Sequence, residues 1–232
     1  MDLMMELLPE GASIWAAGLV AVASFFTAAL TAAFGLGGGV ALLAVMSAVF
    51  PAAAVVPVHG AAQAGANAGR FFLQRKAVVW RIVRWFGIGG LIGAALGGRL
   101  ALEAPVWLLR AGVGGYALWT LWGPSLKGFT PGAATFFLTG IVSGVLTMFF
   151  GATGPLIAAM LSAASISRHG LVATHAAAMM IQHMVKISAF GVLGFAYREW
   201  APLIAVILIF GFAGAYMGTH YLRAMPEATF RR

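Results

Sequence analysis

Residues 34–40 read Phe-Gly-Leu-Gly-Gly-Gly-Val (FGLGGGV) and follow about twenty residues that carry no charge. Four of five consecutive positions are glycine: Gly35, Gly37, Gly38 and Gly39. A glycine inside a helix costs roughly 1 kcal/mol relative to alanine, so an apolar helix does not run unbroken through this stretch. What the break means depends on its surroundings. The chain is 62% hydrophobic and only 9% charged, with a mean hydropathy of +0.96. Soluble domains are about 25% charged, and a charge deficit of this size cannot cover a water-facing surface. The break therefore belongs to an integral membrane protein.

A helical span needs about 20 mostly apolar residues. The pattern predicts nine helical segments, at about 13–34, 38–50, 52–73, 78–100, 105–122, 131–150, 154–166, 169–196 and 200–222. The segments at 38–50 and 154–166 are too short to span comfortably, and each follows a glycine-rich break. No stretch alternates like a membrane barrel strand. The expected fold is all-α and polytopic. The N-terminal tail carries Asp2, Glu6 and Glu10 but no positive n-region, so no cleaved signal peptide is expected. The chain lacks cysteine, which excludes thiolate chemistry.

The net charge of +8 is spread between the apolar segments and reads as a topology signal, with no nucleic-acid partner expected. With the N-terminus outside and every segment crossing once, Arg70, Arg75, Lys76, Arg81, Arg84, Lys127, Arg168, Arg223, Arg231 and Arg232 fall inside. Arg99, Arg110 and Arg198 fall outside, ten against three. The positive-inside rule thus predicts a multi-pass protein of a bacterial-type inner membrane, N-out and C-in.

Shifted by 116 residues, the chain matches itself. LTAAFGLGGG (30–39) overlays LTMFFGATGP (146–155), His59 falls on His175, and Asn67 and Arg70 fall on His183 and Lys186. Farther on the shift becomes 121, and GLIGAALGG (90–98) overlays GFAGAYMGT (211–219). A unit of five segments is odd in number, so its copies insert with opposite orientation. Such inverted repeats typify secondary transporters, with substrate held near the midplane between them. The expected units are 1–123 and 124–232, the second lacking its last segment.

The glycine break, its echo, and the polar and cationic positions that follow each of them resemble the TauE/SafE family over nearly the whole chain. That resemblance implies an inverted-repeat helical transporter exporting sulfite or small organosulfonates such as sulfoacetate.

The residues themselves point to an anion. Helix N-termini expose unpaired N–H groups and about half a positive charge. Two glycine breaks that start short helices can aim such ends at one ligand. Candidate substrate ligands there are Gly35, Gly37, Gly38 and Gly39 in the first break, and Gly151, Thr153 and Gly154 in the second. The alternative is a pair of tight turns. The third segment carries His59, Gln63, Asn67 and Arg70 on one face, and the eighth carries His175, Gln182, His183 and Lys186. Ionisable residues inside a membrane usually line a cavity or path, so the two stripes are expected to face each other across it. His59, His175 and His183 are the proton-coupling candidates, because histidine titrates near neutral pH. The alternatives are interface snorkelling for Arg70 and helix–helix hydrogen bonds for the histidines.

No metal site, cofactor or catalytic motif is expected, and no nucleotide-binding motif is present, so the chain is not expected to be an enzyme. Energy for transport would come from a gradient or a partner. An anion channel and an intramembrane histidine-based metal or cofactor protein are the competing readings. The expected partners are a small anion and the lipid bilayer, with a homodimer allowed.

Overall fold

The computed structural model describes residues 8–34, 37–103, 105, 107, 111, 115, 118 and 130–224. Among these residues the chain forms eight α-helices and no strand. They are α1 (Ile14–Phe34), α2 (Gly38–Val49), α3 (Ala52–Gln74), α4 (Trp80–Glu103), α5 (Ala133–Phe150), α6 (Gly154–Ala163), α7 (Arg168–Val192) and α8 (Tyr197–Ala224). A 3-10 turn, Arg75–Ala77, links α3 to α4. The segment expected at 105–122 lies mostly outside the described residues, as do Gly35 and both chain ends.

Helices α1, α5 and α8 are long and apolar enough to cross a membrane. Large apolar side chains on them face outward: Trp15, Phe26, Leu138 and Ile209 are all more than half exposed. In water that surface would be costly, at ~25 cal/mol per Å², and in lipid it is the expected exterior. Helices α3 and α7 are as long, with 23 and 25 residues, but carry polar stripes and are largely buried. Together they form the centre of the bundle.

Small residues set which helices touch. A Cβ on Gly93 would lie 2.1 Å from the Ile141 carbonyl oxygen, and one on Gly97 would lie 2.8 Å from that of Val145, so α4 packs in parallel on α5. On the other side, Gly214 meets the Phe25 carbonyl at 2.0 Å and Gly218 meets that of Ala29 at 2.1 Å, so α8 packs in parallel on α1. Such contacts let backbones approach as side chains would not. The central pair is antiparallel. Gly60 on α3 lies against the Lys186 stem on α7, and the Val79 N–H donates to Thr174 Oγ1 at 3.0 Å.

The short helices do not span alone. α2 has 12 residues and α6 has 10, or ~18 and ~15 Å at 1.5 Å per residue, against a hydrocarbon core of ~30 Å. α2 folds back on α1. Gly38 at its start meets Thr27 and Thr31, while Met46 and Phe50 near its end pack with Ala16 and Val20 at the start of α1. Residues before α1 and at the start of α3 share an end of the bundle, since a Cβ on Gly11 would sit 2.7 Å from Pro51. The helix therefore begins at depth and returns to the end from which α1 set out. α6 behaves alike at the opposite end, where Ile157 and Leu161 join Ile82, Phe136 and Leu171.

Candidate functional site

The two breaks meet in the interior. Gly37, Gly39 and Val40 from the first, and Ala152, Gly154 and Pro155 from the second, line one small cavity. The remaining lining comes from α1 (Thr31), α3 (His59, Gln63, Asn67, Arg70) and α7 (His175, Met179, His183). Its volume is about 20 Å³, the scale of a single water. The N-termini of α2 and α6 thus flank one polar space, and their first-turn N–H groups lack intrahelical partners.

The four glycines of the first break do different jobs. Gly37 has φ 93°, a left-handed conformation that favours glycine. Gly38 cannot carry a side chain at all, because its Cβ would lie 1.9 Å from the Thr27 carbonyl oxygen and 2.1 Å from Thr31 Oγ1. It packs α2 on α1 and is absent from the cavity wall. Gly39 reaches the wall, with the Gln63 amide in ordinary contact. In the second break Gly151 takes the left-handed conformation, φ 78°, and Gly154 lines the cavity beside His175.

The histidines are held alike. His59 Nε2 donates to the Gly39 carbonyl at 2.8 Å, and His175 Nε2 donates to that of Gly154 at 3.2 Å. A carbonyl only accepts, so Nε2 carries the proton in both and Nδ1 is left as a bare acceptor. Neither Nδ1 has a partner, nor does that of His183. The His59 and His183 rings meet edge to face, with centroids 5.9 Å apart. Among the described residues, no three His, Cys, Asp or Glu side chains are grouped to hold a metal ion.

Among the described residues, two cations are buried, Arg70 at 1% exposure and Lys186 at 0%. Arg70 donates to the Thr31 carbonyl at 3.3 Å and to Asn67 Oδ1, while its Nε has no partner. Lys186 donates to the Gly151 carbonyl at 2.5 Å. None of α1, α2, α3, α5, α6 or α7 contains an Asp or Glu. Among the described residues, the hydrogen-bond partners of both charges are neutral dipoles.

The structure brings nine of the sequence-expected residues to the cavity wall: Gly37, Gly39, His59, Gln63, Asn67, Arg70, Gly154, His175 and His183. Gly38, Gly151, Thr153, Gln182 and Lys186 lie off it. Thr153 and Gln182 are occupied with each other. Ser143 Oγ donates to Thr153 Oγ1 (2.6 Å), which donates to Gln182 Oε1 (3.1 Å), and Gln182 Nε2 returns to Ser143 Oγ (2.7 Å). This closed triangle ties α5, the second break and α7 together. Thr31 and Met179 line the cavity without having been singled out. Met179 stands 116 residues after Gln63, so the repeat offset alone would have found it.

An apolar helical exterior around a buried, polar, cationic cavity defines a multi-pass α-helical membrane protein. Comparison with known families places it further: the model described as Sulfite exporter TauE/SafE matches residues 20–232, and the chain belongs to that family. Comparison with curated proteins and with solved structures found no match. The family points to a small anion as substrate.

Proposed function

We propose that the chain is a secondary transporter that exports a small anion, sulfite or an organosulfonate such as sulfoacetate, by alternating access between two inverted repeats. One observation carries the anion: Arg70 and Lys186 are buried and, among the described residues, hydrogen-bond only neutral partners. Burying an unpaired charge costs several kcal/mol, and an anion drawn into the cavity would offset that cost. The free Arg70 Nε–H and the helix ends of α2 and α6 offer it donors. The bare Nδ1 atoms of His59 and His175 accept only from a donor, such as a protonated substrate oxygen, a water or an incoming proton, and this, with the unpartnered Nδ1 of His183, supports the three as coupling groups.

The repeat reading is supported by packing. Gly93 and Gly97 meet Ile141 and Val145, while Gly214 and Gly218 meet Phe25 and Ala29. The glycines differ by 121 and their partners by 116, the two offsets found in the sequence. The first helix of each copy (α1, α5) thus packs on the fourth helix of the other (α8, α4), and the halves interlock. A cavity of one-water size cannot admit sulfite unless helices move, which favours alternating access over an open channel. The basic ends of α3 and α8, and the basic starts of α4 and α7, support an N-out, C-in orientation in an inner membrane.

The test is thermal unfolding of purified protein with sulfite, sulfoacetate, sulfate, acetate or chloride at fixed ionic strength. Sulfite or a sulfonate is expected to raise the midpoint further in the parent than in Arg70→Met or His175→Ala. Absence of stabilisation by any anion would sink the binding reading. Equal responses in parent and both variants would move the site elsewhere.

A further inference from the structure

At the end of the bundle where α3 finishes lies a second, larger cavity of about 410 Å³. Arg75, Lys76, His169 and Arg223 line it, and no carboxylate does so among the described residues. Gln74 lines it too. That side chain is only 8% exposed, and neither its amide oxygen nor its amide nitrogen has a partner. A buried amide without hydrogen bonds is uncommon and calls for an explanation.

We propose that this basin is a second anion site, distinct from the central cavity, that takes a tetrahedral oxyanion of the phosphate or sulfate type. Three permanent cations from α8 and the α3–α4 turn provide the charge. Arginine suits oxyanions because its planar fork donates two parallel hydrogen bonds. The Gln74 amide N–H₂ supplies a neutral donor at the basin's inner wall, where a cation would be costly to bury. The start of α7 contributes its positive end, with His169 in the first turn. The α3 carbonyls at the same place would repel an anion, but Arg223 approaches that of Leu73 at 3.5 Å and covers it. Phe72 borders the basin and is 60% exposed, so the rim is apolar enough to lie at the lipid surface. The same chemistry therefore serves two sources: a free oxyanion held at the mouth, or the phosphate of an anionic lipid.

Two arms separate the sources. In detergent, inorganic phosphate and sulfate are titrated against chloride at constant ionic strength, with thermal unfolding as the readout. In nanodiscs of phosphatidylcholine alone or with phosphatidylglycerol, retained lipid is counted by native mass spectrometry. The variants are Arg75→Gln/Arg223→Gln, whose exposed side chains leave the core intact, and Gln74→Leu, with Arg70→Met marking the central cavity. The double variant is expected to weaken the response about tenfold, as for loss of a charge-assisted hydrogen bond, and Gln74→Leu is expected to weaken it less. Arg70→Met leaves this response intact, which separates the basin from the transport reading. Stabilisation by free phosphate or sulfate assigns the soluble source, and retained phosphatidylglycerol lost in the double variant assigns the lipid source. If neither arm responds, or if Arg70→Met abolishes the response while the double variant keeps it, the proposal is overturned.

Discussion

At the scale of single residues, adjacent glycines separate conformation from contact. At Gly37 a Cβ would meet nothing within 4 Å, so Gly37→Ala suffers only the backbone strain of a positive φ, about 1–2 kcal/mol. Gly38→Ala drives a methyl into the Thr27 carbonyl, and α2 must leave α1. Its cost is expected to be larger, about 3 kcal/mol or more, from overpacking against backbone. Thermal unfolding of the two variants checks the order, and Gly37→Ala falling below Gly38→Ala would contradict it. Lys186 carries the opposite expectation. Breaking a buried ion pair normally costs about 3–5 kcal/mol because a partner charge is stranded. Here the partner is the neutral Gly151 carbonyl, so Lys186→Met is expected to unfold within a few degrees of the parent, or above it, when no anion is present. A collapse in stability would reveal an unrecognised counter-charge. The sequence made the glycine run and both stripes legible, because periodicity and charge survive in one dimension. It could not say which glycine is pressed against α1, since that depends on the Thr27 backbone and the Thr31 hydroxyl, 11 and 7 residues earlier in the chain. Nor did it reveal Ser143, whose hydroxyl resembles any other helix serine until Thr153 and Gln182 surround it.

Among the elements, the pairings of α1 with α8 and of α4 with α5 carry the architecture, and each rests on small residues in register. Gly93→Ala and Gly214→Ala both place a Cβ about 2 Å from a carbonyl oxygen of the neighbouring helix. Each is expected to destabilise by about 1–3 kcal/mol, with similar size at the two sites because the contacts correspond. Gly18→Ala is the control. A Cβ at Gly18 on α1 meets nothing within 4 Å, and the gain in helix propensity, about 1 kcal/mol, makes it neutral or stabilising. Unequal effects at 93 and 214 would count against the two pairings being equivalent. The sequence offsets of 116 and 121 were sufficient to propose a repeat, but not to say which helix each glycine ridge would meet. A glycine ridge announces a close neighbour without naming it. The two short helices were likewise legible as short. Their return to the end they came from depends on contacts such as Gly11 with Pro51.

For the whole molecule, the asymmetry of charge is the feature that meets the membrane. Arg75, Lys76, His169 and Arg223 gather at one end, while Arg198 and Glu199 begin α8 at the other. The proposed N-out, C-in orientation would put the first group in the cytoplasm, and the absence of cysteine from the sequence makes this directly measurable. Lys76 and Arg198 are both exposed, so Lys76→Cys and Arg198→Cys each present a single thiol without disturbing the core. In intact cells a membrane-impermeant maleimide is expected to label Arg198→Cys at once, and Lys76→Cys only after the membrane is opened. The reverse pattern would invert the orientation and place the basic basin outside. An export reading would then have to load its anion from the end that carries Glu199, against the field that the basic end provides.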